Sequence, residues 1–218
     1  MRMRKKKHGQ ERIEACGEYL LKTREEIADF LIGNGEKRRC YLEIGCGKGS
    51  FAVAASEKWT DHPFVALERS SDVALLAMEK AKAAGSDPSR LHFLITDAKA
   101  LPELFEKGDV ERLFLNFSDP WPKKGYAKRR LTHRGFLEMY KGLLREGGRI
   151  CFKTDNAALF AFSLEEFIAA GFTLENVTDD LHNSPLNAEN IQTEYEKNFS
   201  EKGFSIHYCE AYLSDTAT

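Results

Sequence analysis

The stretch E-I-G-C-G-K-G, residues 43–49, joins a short apolar segment to the start of a helical pattern. Residues 40–44 have the length and composition of a buried strand, and residues 50–58 have the apolar spacing of a helix. The three glycines permit a tight turn and let a ligand approach the backbone where a Cβ atom would clash. The sequence therefore predicts a strand, a glycine loop and a helix in succession.

Strand and helix patterns continue to alternate after this loop. The predicted strands are residues 40–44, 64–67, 91–95, 113–117 and 149–153, and the predicted helices are residues 50–58, 72–84, 101–106, 133–144 and 159–170. Five strand–helix repeats in a row predict an α/β, doubly wound fold, in which helices cover both faces of a parallel sheet. Residues 173–178 and 205–213 read as two late strands, one of them antiparallel. We expect a mostly parallel seven-stranded sheet with one antiparallel edge strand.

The chain of 218 residues is long enough for one domain with a sizeable core. We expect a single domain, residues 1–218. Residues 1–36 would form a basic tail and a helical extension, because residues 11–32 carry apolar side chains at helical spacing. Residues 37–218 would form the α/β core of the domain.

The cysteines and the N-terminal residues indicate the cellular compartment. The five cysteines are an odd number, widely spread and without a Cys-x-x-Cys pair, which argues against a zinc site and against a disulfide framework. The charged first residues are not followed by the apolar core of a signal peptide, and no apolar run approaches the roughly 20 residues that span a bilayer. We expect a soluble cytoplasmic protein with no metal and no membrane partner, as a monomer or a homodimer.

The distribution of charge says more than its total. The formal net charge of −2 predicts no polyanionic partner. Five of the first seven residues are basic, however, and residues 123–134, the basic segment, hold six Lys or Arg and no acid. Such local clusters are the footprint that a nucleic-acid binder needs. Taken alone, the basic N-terminus is equally compatible with a solvated tail.

Three acids stand at predicted strand ends, the edge where doubly wound sheets bind ligands. Glu43 ends the first strand, Glu68 the second, and Asp97 follows the third. Glu43 would repel a pyrophosphate but suits a cationic ligand such as S-adenosylmethionine, which carries an ammonium and a sulfonium. Glu68 suits the ribose hydroxyls of either S-adenosylmethionine or NAD. Asp97 suits an adenine amino group, although either of these two acids alone would more often be a surface acid or a helix N-cap.

The glycine spacing narrows the choice of ligand. Gly45, Gly47 and Gly49 form Gly-x-Gly-x-Gly, which differs from both the Gly-x-Gly-x-x-Gly of dinucleotide folds and the phosphate-binding Walker loop. This loop and the three acids resemble those of class I S-adenosylmethionine-dependent methyltransferases over residues 41–172. An NAD-dependent dehydrogenase is disfavoured by the spacing and by Glu43.

The stretch N-F-S-D-P-W-P-K-K, residues 116–124, places Asp119 just beyond the fourth strand. Pro120 and Pro122 stiffen the backbone, as a substrate-positioning acid requires. Trp121 is suited to stack on a base, but alone it more often packs in a core. An ionised carboxylate accepts hydrogen bonds only, so it selects a base edge with donors. Guanine presents N1–H and a 2-amino group on one edge and the N7 lone pair on the other side; methylation of an exocyclic amine could use a similar acid.

Five motifs together closely resemble the bacterial tRNA (guanine-N7)-methyltransferases: L-N-F-S-D-P-W-P-K-K (115–124), K-R-R-L-T (128–132), F-K-T-D-N (152–156), D-L-H-N-S (180–184) and T-E-Y-E (193–196). The resemblance implies methylation of a guanosine in the tRNA variable loop. It implies that Asp119 is catalytic. The implied donor-binding residues are Glu43, Glu68, Asp97 and Asp119, together with Gly45, Gly47 and Gly49 of the glycine loop. The implied substrate-binding residues are Lys123, Asp155, Thr193, Glu194, Tyr195 and Glu196.

The residues alone leave alternatives open. Asp155 with Asn156 also fits a helix N-cap, and Thr193-x-x-Glu196 has the spacing of a capping box. Methylation of another base or of a small molecule is a second hypothesis, although a small molecule leaves the basic segment unexplained. An RNA-binding module that retains a methyltransferase fold is a third hypothesis, which donor binding would discriminate.

Overall fold

The computed structural model describes residues 6–33, 35–200 and 203–213. The helices are α1 (Gly9–Glu14), α2 (Arg24–Phe30), α3 (Ser50–Lys58), α4 (Ser71–Ala84), α5 (Leu101–Leu104), α6 (Arg134–Lys141), α7 (Ala157–Ala169) and α8 (Glu194–Ser200). The strands are β1 (Leu20–Leu21), β2 (Ile32–Gly33), β3 (Glu36–Lys37), β4 (Cys40–Ile44), β5 (Phe64–Glu68), β6 (Leu91–Ile95), β7 (Val110–Asn116), β8 (Leu144–Thr154), β9 (Thr173–Thr178) and β10 (His207–Tyr212). Short 3-10 turns lie at Gly17–Tyr19, Ala98–Ala100, Lys124–Arg129 and Pro185–Glu189. Residues 1–5 of the predicted basic tail lie outside the described residues.

The main sheet has eight strands in the order β1-β6-β5-β4-β7-β8-β10-β9. Strand β4 pairs in parallel with β5 on one side and with β7 on the other. The strands that follow β4 in the chain are therefore added first on its β5 side and then on its β7 side. The predicted α/β class is confirmed. The carboxyl ends of β4 and β7 flank the point where strand order reverses, and this is where such sheets form a ligand crevice.

The strand count and the place of the antiparallel strand differ from the prediction. The eighth strand is the two-residue β1, which pairs with β6. The antiparallel strand β10 lies between β8 and β9 rather than at the edge. Cys209 and Ala211 of β10 are fully buried, whereas the polar β9 is mostly exposed. An apolar strand needs neighbours on both sides, so β10 takes the inner position and β9 becomes the edge.

Side chains alternate between two apolar clusters, one on each face of the sheet. Along β4, Leu42 packs in one cluster and Tyr41 in the other. Helices α3 and α4 cover the Tyr41 face, and α6 and α7 cover the Leu42 face. Gly49 opens α3 with φ +76°, and a Cβ there would lie 2.7 Å from the Cβ of Ala77, so only glycine lets α3 approach α4 this closely.

The N-terminal extension is helical, as its apolar spacing predicted, but the two helices among its described residues are short. It contains α1, a 3-10 turn, β1 and α2, which begins with a capping box between Thr23 and Glu26. Ile13 packs in the Tyr41-face cluster and Ile27 in the opposite one, so the extension passes around the sheet edge at β1. Among the described residues, no helix is long and apolar enough to cross a membrane.

Candidate active site

A cleft of about 670 Å³ opens at the carboxyl ends of β4, β5, β6 and β7. Four of the residues predicted from the sequence line it together: Gly45, Glu68, Asp97 and Asp119. They come from four different strand ends, so only the parallel sheet brings them to one place. We call this space the donor cleft.

The glycine loop is held in shape by Glu68. Gly45, Gly47 and Gly49 have φ values of +81°, +56° and +76°, which L side chains rarely adopt. The Gly47 N–H donates to Glu68 Oε2 at 3.2 Å, and the Ser70 N–H donates to Glu68 Oε1 at 2.8 Å. A Cβ at Gly45 or Gly47 would meet nothing within 4 Å, so the need for glycine there comes from the turn rather than from packing.

Glu43 lies buried beneath this loop. Its Oε1 accepts a hydrogen bond of 2.9 Å from Asn116 Nδ2, and its Oε2 has no hydrogen-bond partner among the described residues. Burial raises the pKa of the Glu43 carboxyl to about 7, against the opposing effects of Asn116 and the nearby Lys153. A buried acceptor oxygen without a donor is costly, and a ligand cation or N–H group would relieve it.

Glu43→Gln tests this burial in the protein without ligand. A carboxyl whose folded pKa is raised stabilises the fold below the unfolded pKa, and that stability is lost as pH rises through the folded pKa. The window here runs from 4.5 to about 7. We therefore expect the glutamine variant to gain up to about 3 kcal/mol of unfolding free energy relative to the original chain across this window. Urea unfolding at one pH below and one above the window measures it.

Glu57→Gln, at an exposed position on α3, controls for the loss of one carboxyl. A stability difference between the Glu43→Gln variant and the original chain that stays constant with pH would contradict the prediction.

Asp97 caps the following 3-10 turn with one carboxylate oxygen and faces the cleft with the other. Its Oδ1 accepts the Lys99 N–H at 3.0 Å and so begins the 3-10 turn, as the N-cap alternative predicted. Its Oδ2 lies 3.8 Å from the exposed Arg69 guanidinium and lines the donor cleft. Capping and ligand binding are compatible, because they use different oxygens.

Asp119 sits between two strained positions. Phe117 has φ +52° and Trp121 has φ +40°, both in the left-handed region that non-glycine residues rarely adopt. We call residues 117–121 the Asp119 loop. Within the described residues, the exposed Asp119 carboxylate makes no hydrogen bond and no ion pair. A free acceptor on a strained, proline-stiffened loop at the strand-order reversal is the central feature of this cleft.

Two sequence comparisons identify relatives of the chain. A family model described as "Putative methyltransferase" matches residues 37–209. A tRNA (guanine-N(7)-)-methyltransferase of Halalkalibacterium halodurans is 46% identical over 177 residues, 81% of this chain and 79% of that protein. The protein of the same name from Streptococcus agalactiae is 40% identical over 214 residues, 97% of this chain and 99% of that protein.

The chain belongs to the tRNA (guanine-N7)-methyltransferase family. Among solved structures, one described as the 16S rRNA methyltransferase KamB matches with a TM-score of 0.64 over 87% of this chain and 93% of that one, at 14% identity. At so low an identity the match shows the fold alone, a methyltransferase fold.

Trp121 of this methyltransferase does not pack in the core. It is half-buried at the donor cleft, with the Arg129 guanidinium 4.9 Å from its ring centre and Tyr126 edge-on at 6.0 Å. Arg129 also lies 4.7 Å from the Tyr126 ring. A cation between two aromatic faces stabilises this wall of the cleft. The core interpretation from sequence was wrong, because the Trp121 ring lies at the donor cleft against Arg129 and Tyr126.

The capping box predicted at residues 193–196 is present. The Glu196 N–H donates to Thr193 Oγ1 at 2.9 Å, and the Thr193 N–H donates to Glu196 Oε2 at 3.3 Å. Glu196 is fully buried and also receives Lys153 Nζ at 2.8 Å and Asn190 Nδ2 at 2.7 Å. His182 Nε2 lies 2.7 Å from the same carboxylate. Thr193 and Glu196 therefore hold this segment together from inside.

Glu194 and Tyr195 point outward from the same helix turn. Glu194 accepts from Ser50 Oγ at 2.7 Å and pairs with Lys80, which docks α8 on α3 and α4. The exposed Tyr195 ring contacts Phe117 of the Asp119 loop at 5.0 Å, and its hydroxyl donates to Asp155 Oδ2 at 3.4 Å. The N-cap of α7 is Asn156, so Asp155 is free of the capping role considered for it. Tyr195 and Asp155 thus stand beside the Asp119 loop.

The basic segment divides into two parts. Lys123, Lys124 and Lys128 are exposed, and among the described residues no carboxylate lies within salt-bridge distance of them. Arg134, by contrast, pairs with Glu166 at 2.9 Å, and Arg130 donates to backbone carbonyls. The whole segment was predicted to carry a polyanion, but these two arginines are already engaged within the fold.

No separate role was assigned from the sequence to three polar residues near the cleft. Asn116 at the end of β7 binds Glu43, and Lys153 near the end of β8 binds both Asn190 and Glu196. The positions of Asn116 and Lys153 could have identified them, because polar side chains at the carboxyl ends of apolar parallel strands lie where such sheets bind ligands. Asn190 lies in a polar loop and carried no comparable signal.

Proposed function

We propose that this methyltransferase transfers the methyl group of S-adenosylmethionine to N7 of a guanosine in tRNA, in the variable loop. The family supports the donor, the reaction and the tRNA substrate. The observation that carries the proposal is the Asp119 carboxylate, which lines the donor cleft and is followed by the exposed lysines of the basic segment; within the described part of the chain these groups have no ion-pair partner.

The donor cleft fits S-adenosylmethionine. Glu43 Oε2 has no hydrogen-bond donor among the residues that the structure describes, and Gly45 and Gly47 leave open space over the loop. We assign Glu43 to the cationic methionine end, Glu68 to the ribose hydroxyls and Asp97 to the adenine amino group. The three glycines keep the backbone close to the ligand. When bound, S-adenosylmethionine supplies an electrophilic methyl group.

Asp119 would orient the base. Its two oxygens accept hydrogen bonds from guanine N1–H and the 2-amino group, which turns N7 toward the donor side. N7 carries a lone pair and no proton, so the chain needs no general base for the attack. Orientation of the base would supply most of the rate, which explains why the carboxylate sits on a stiff loop.

The tRNA would lie across the surface beside the Asp119 loop. Lys123 and its neighbours Lys124 and Lys128 would contact phosphates, since they have no competing carboxylates within the described residues. Tyr195 and Asp155 would contact the nucleotide from the other side of Phe117. Glu194 is available at the edge of this surface, whereas Thr193 and Glu196 would act by holding the segment rather than by touching tRNA.

Replacing Lys123 and Lys124 with alanine should weaken tRNA binding and reduce its salt dependence. Each lost phosphate contact removes about 0.7–0.9 from the slope of log affinity against log salt, so the double variant should lose about 1.5. Filter binding over a salt series measures this slope. Lys107→Ala is the control, because this exposed lysine lies just before the amino end of β7, at the opposite ends of the strands from the cleft. An unchanged slope in the double variant would remove these lysines from the interface.

Product analysis tests the function itself. Unmodified tRNA is incubated with the protein and labelled S-adenosylmethionine and then digested to nucleosides. We expect label in 7-methylguanosine, and none when the variable-loop guanosine is replaced by adenosine. Label in an exocyclic amine would reject the N7 assignment, and label that survives the replacement would reject the variable loop.

The compartment and the assembly state complete the proposal. The five cysteines are free and buried, which suits a reducing compartment, and we place the reaction in the cytoplasm. We propose a monomer or a homodimer, which light scattering of the purified protein would distinguish.

A further inference from the structure

Arg130 is bound to the backbone of the Asp119 loop. Its Nε donates to the Pro120 carbonyl at 2.9 Å, and its terminal NH2 group donates to the Trp121 carbonyl at 3.1 Å. Its guanidinium also lies 4.3 Å from the centre of the Phe162 ring on α7. We infer that Arg130 is the positioning residue that holds the Asp119 carboxylate toward the donor cleft. This inference rests on the proposed function, because it concerns the geometry of the same reaction.

The residues after Arg130 are anchored to α7. Thr132 Oγ1 lies 2.7 Å from Ser163 Oγ, and both residues are fully buried. The Arg134 N–H donates to Glu166 Oε2 at 2.6 Å, and the Arg134 side chain pairs with the same carboxylate. Arg130 therefore reaches the Asp119 loop from a fixed base rather than from a mobile loop.

The Asp119 loop needs such a restraint at its second end. At its first end, the Phe117 N–H donates to the Lys153 carbonyl at 2.9 Å, which continues the pairing of β7 with β8. At its second end, Trp121 has φ +40°, and a backbone in that region relaxes unless its surroundings hold it. Arg130 supplies that hold, so Asp119 lies between two fixed points.

The chemistry of the contact favours arginine over lysine. Two carbonyls accept from one planar guanidinium, whose donors are set in a rigid fork, whereas a lysine ammonium is a point charge on a flexible stem. Arg129, the preceding residue, faces the donor cleft between Trp121 and Tyr126 instead. Adjacent arginines in the basic segment thus have separate tasks, and Arg130 is not a phosphate contact.

Kinetics separate a positioning role from a phosphate contact. In Arg130→Ala, the single-turnover rate at saturating tRNA and donor should fall about 100-fold, as expected for a displacement of the orienting group by about 1 Å. The tRNA affinity and its salt slope should stay unchanged. Lys124→Ala, which removes one charge from the same segment, should instead lower the tRNA affinity and reduce its salt slope. An unchanged rate in Arg130→Ala with a salt slope lowered by about 0.9 would overturn the inference.

Two further measurements distinguish positioning from general support. Guanidinium ion should partly restore the rate of Arg130→Ala but not that of Arg130→Lys, with potassium chloride at equal ionic strength as the control. In a Trp59→Phe background, Trp121 is the remaining one of the two tryptophans, and Arg130→Ala should increase its quenching by acrylamide. Unaltered quenching, or loss of the whole thermal transition, would overturn the inference, since the latter would mean that Arg130 supports the core. If the original chain does not methylate tRNA, the proposed function fails, whatever Arg130 does.

Discussion

Asp119→Ala is expected to reduce the single-turnover rate of methyl transfer to tRNA by about 100- to 1,000-fold. The carboxylate is exposed on the strained loop at the cleft, and it has no partner within the described residues that would be left unpaired by its removal. The fold should therefore remain intact, with an unchanged unfolding midpoint. Rapid-quench measurement with labelled donor, at saturating donor and tRNA, isolates this step from binding.

Asp119→Asn sharpens the same test. The amide keeps the size of the side chain but replaces one acceptor oxygen with a donor, which would oppose a guanine N–H group. We expect a loss of rate close to that of the alanine variant. Asp29→Ala, at an exposed position on α2, controls for the loss of a surface carboxylate. Near-normal transfer by either Asp119 variant would remove the assigned role.

Glu196→Ala is expected to lower the free energy of unfolding by about 3–5 kcal/mol. The substitution leaves the buried Lys153 ammonium without its carboxylate partner at 2.8 Å, and it also removes the acceptor for Asn190 and Thr193. Burial opposes ionisation of Glu196, but Lys153 and the surrounding hydrogen bonds outweigh it and hold the pKa of the carboxyl below its usual value. Burial lowers the pKa of Lys153, and Glu196 opposes that effect, so removing the carboxylate leaves a buried ammonium without the group that favours its charge.

Glu194→Ala is the matched control for this stability prediction. It removes a carboxylate two residues earlier on the same helix, but one that is 48% exposed and paired with lysines at the surface. Such pairs contribute up to about 1 kcal/mol. Lys153→Met combined with Glu196→Leu should recover much of the lost stability, because it removes both charges together. If Glu196→Ala kept its stability but lost tRNA affinity, Glu196 would be a substrate contact after all.

Several parts of the fold and the cleft followed from local sequence. The bounds of β4, α3, β6 and β9 were predicted to the residue, because apolar runs of strand length and helical spacing are local signals. The placement of Glu43, Glu68, Asp97 and Asp119 near one edge followed from the rule that parallel strands carry ligands at their carboxyl ends. The structure brings the last three into one cleft and buries Glu43 beneath it.

The roles of individual charges did not follow from local sequence. Arg130 and Arg134 look like Lys123 and Lys124 in the chain, yet the fold engages the two arginines and leaves the two lysines free of carboxylates among the described residues. Glu196 looks as exposed as Glu194 but is buried against Lys153. Each of these outcomes depends on a partner from another element.

The strand–helix order, the glycine loop and the gathering of the acids at the carboxyl ends of the strands could all be predicted from the amino-acid sequence, because they depend on side-chain periodicity and chain direction. Three features required the folded structure: β10 lies between β8 and β9, Glu43 Oε2 has no donor among the described residues, and Arg130 binds the backbone of the Asp119 loop. Those features arise from burial and from contacts between residues far apart in the chain. Whether a charged side chain binds a ligand, supports the backbone or stays in solvent depends on the groups that the fold places beside it.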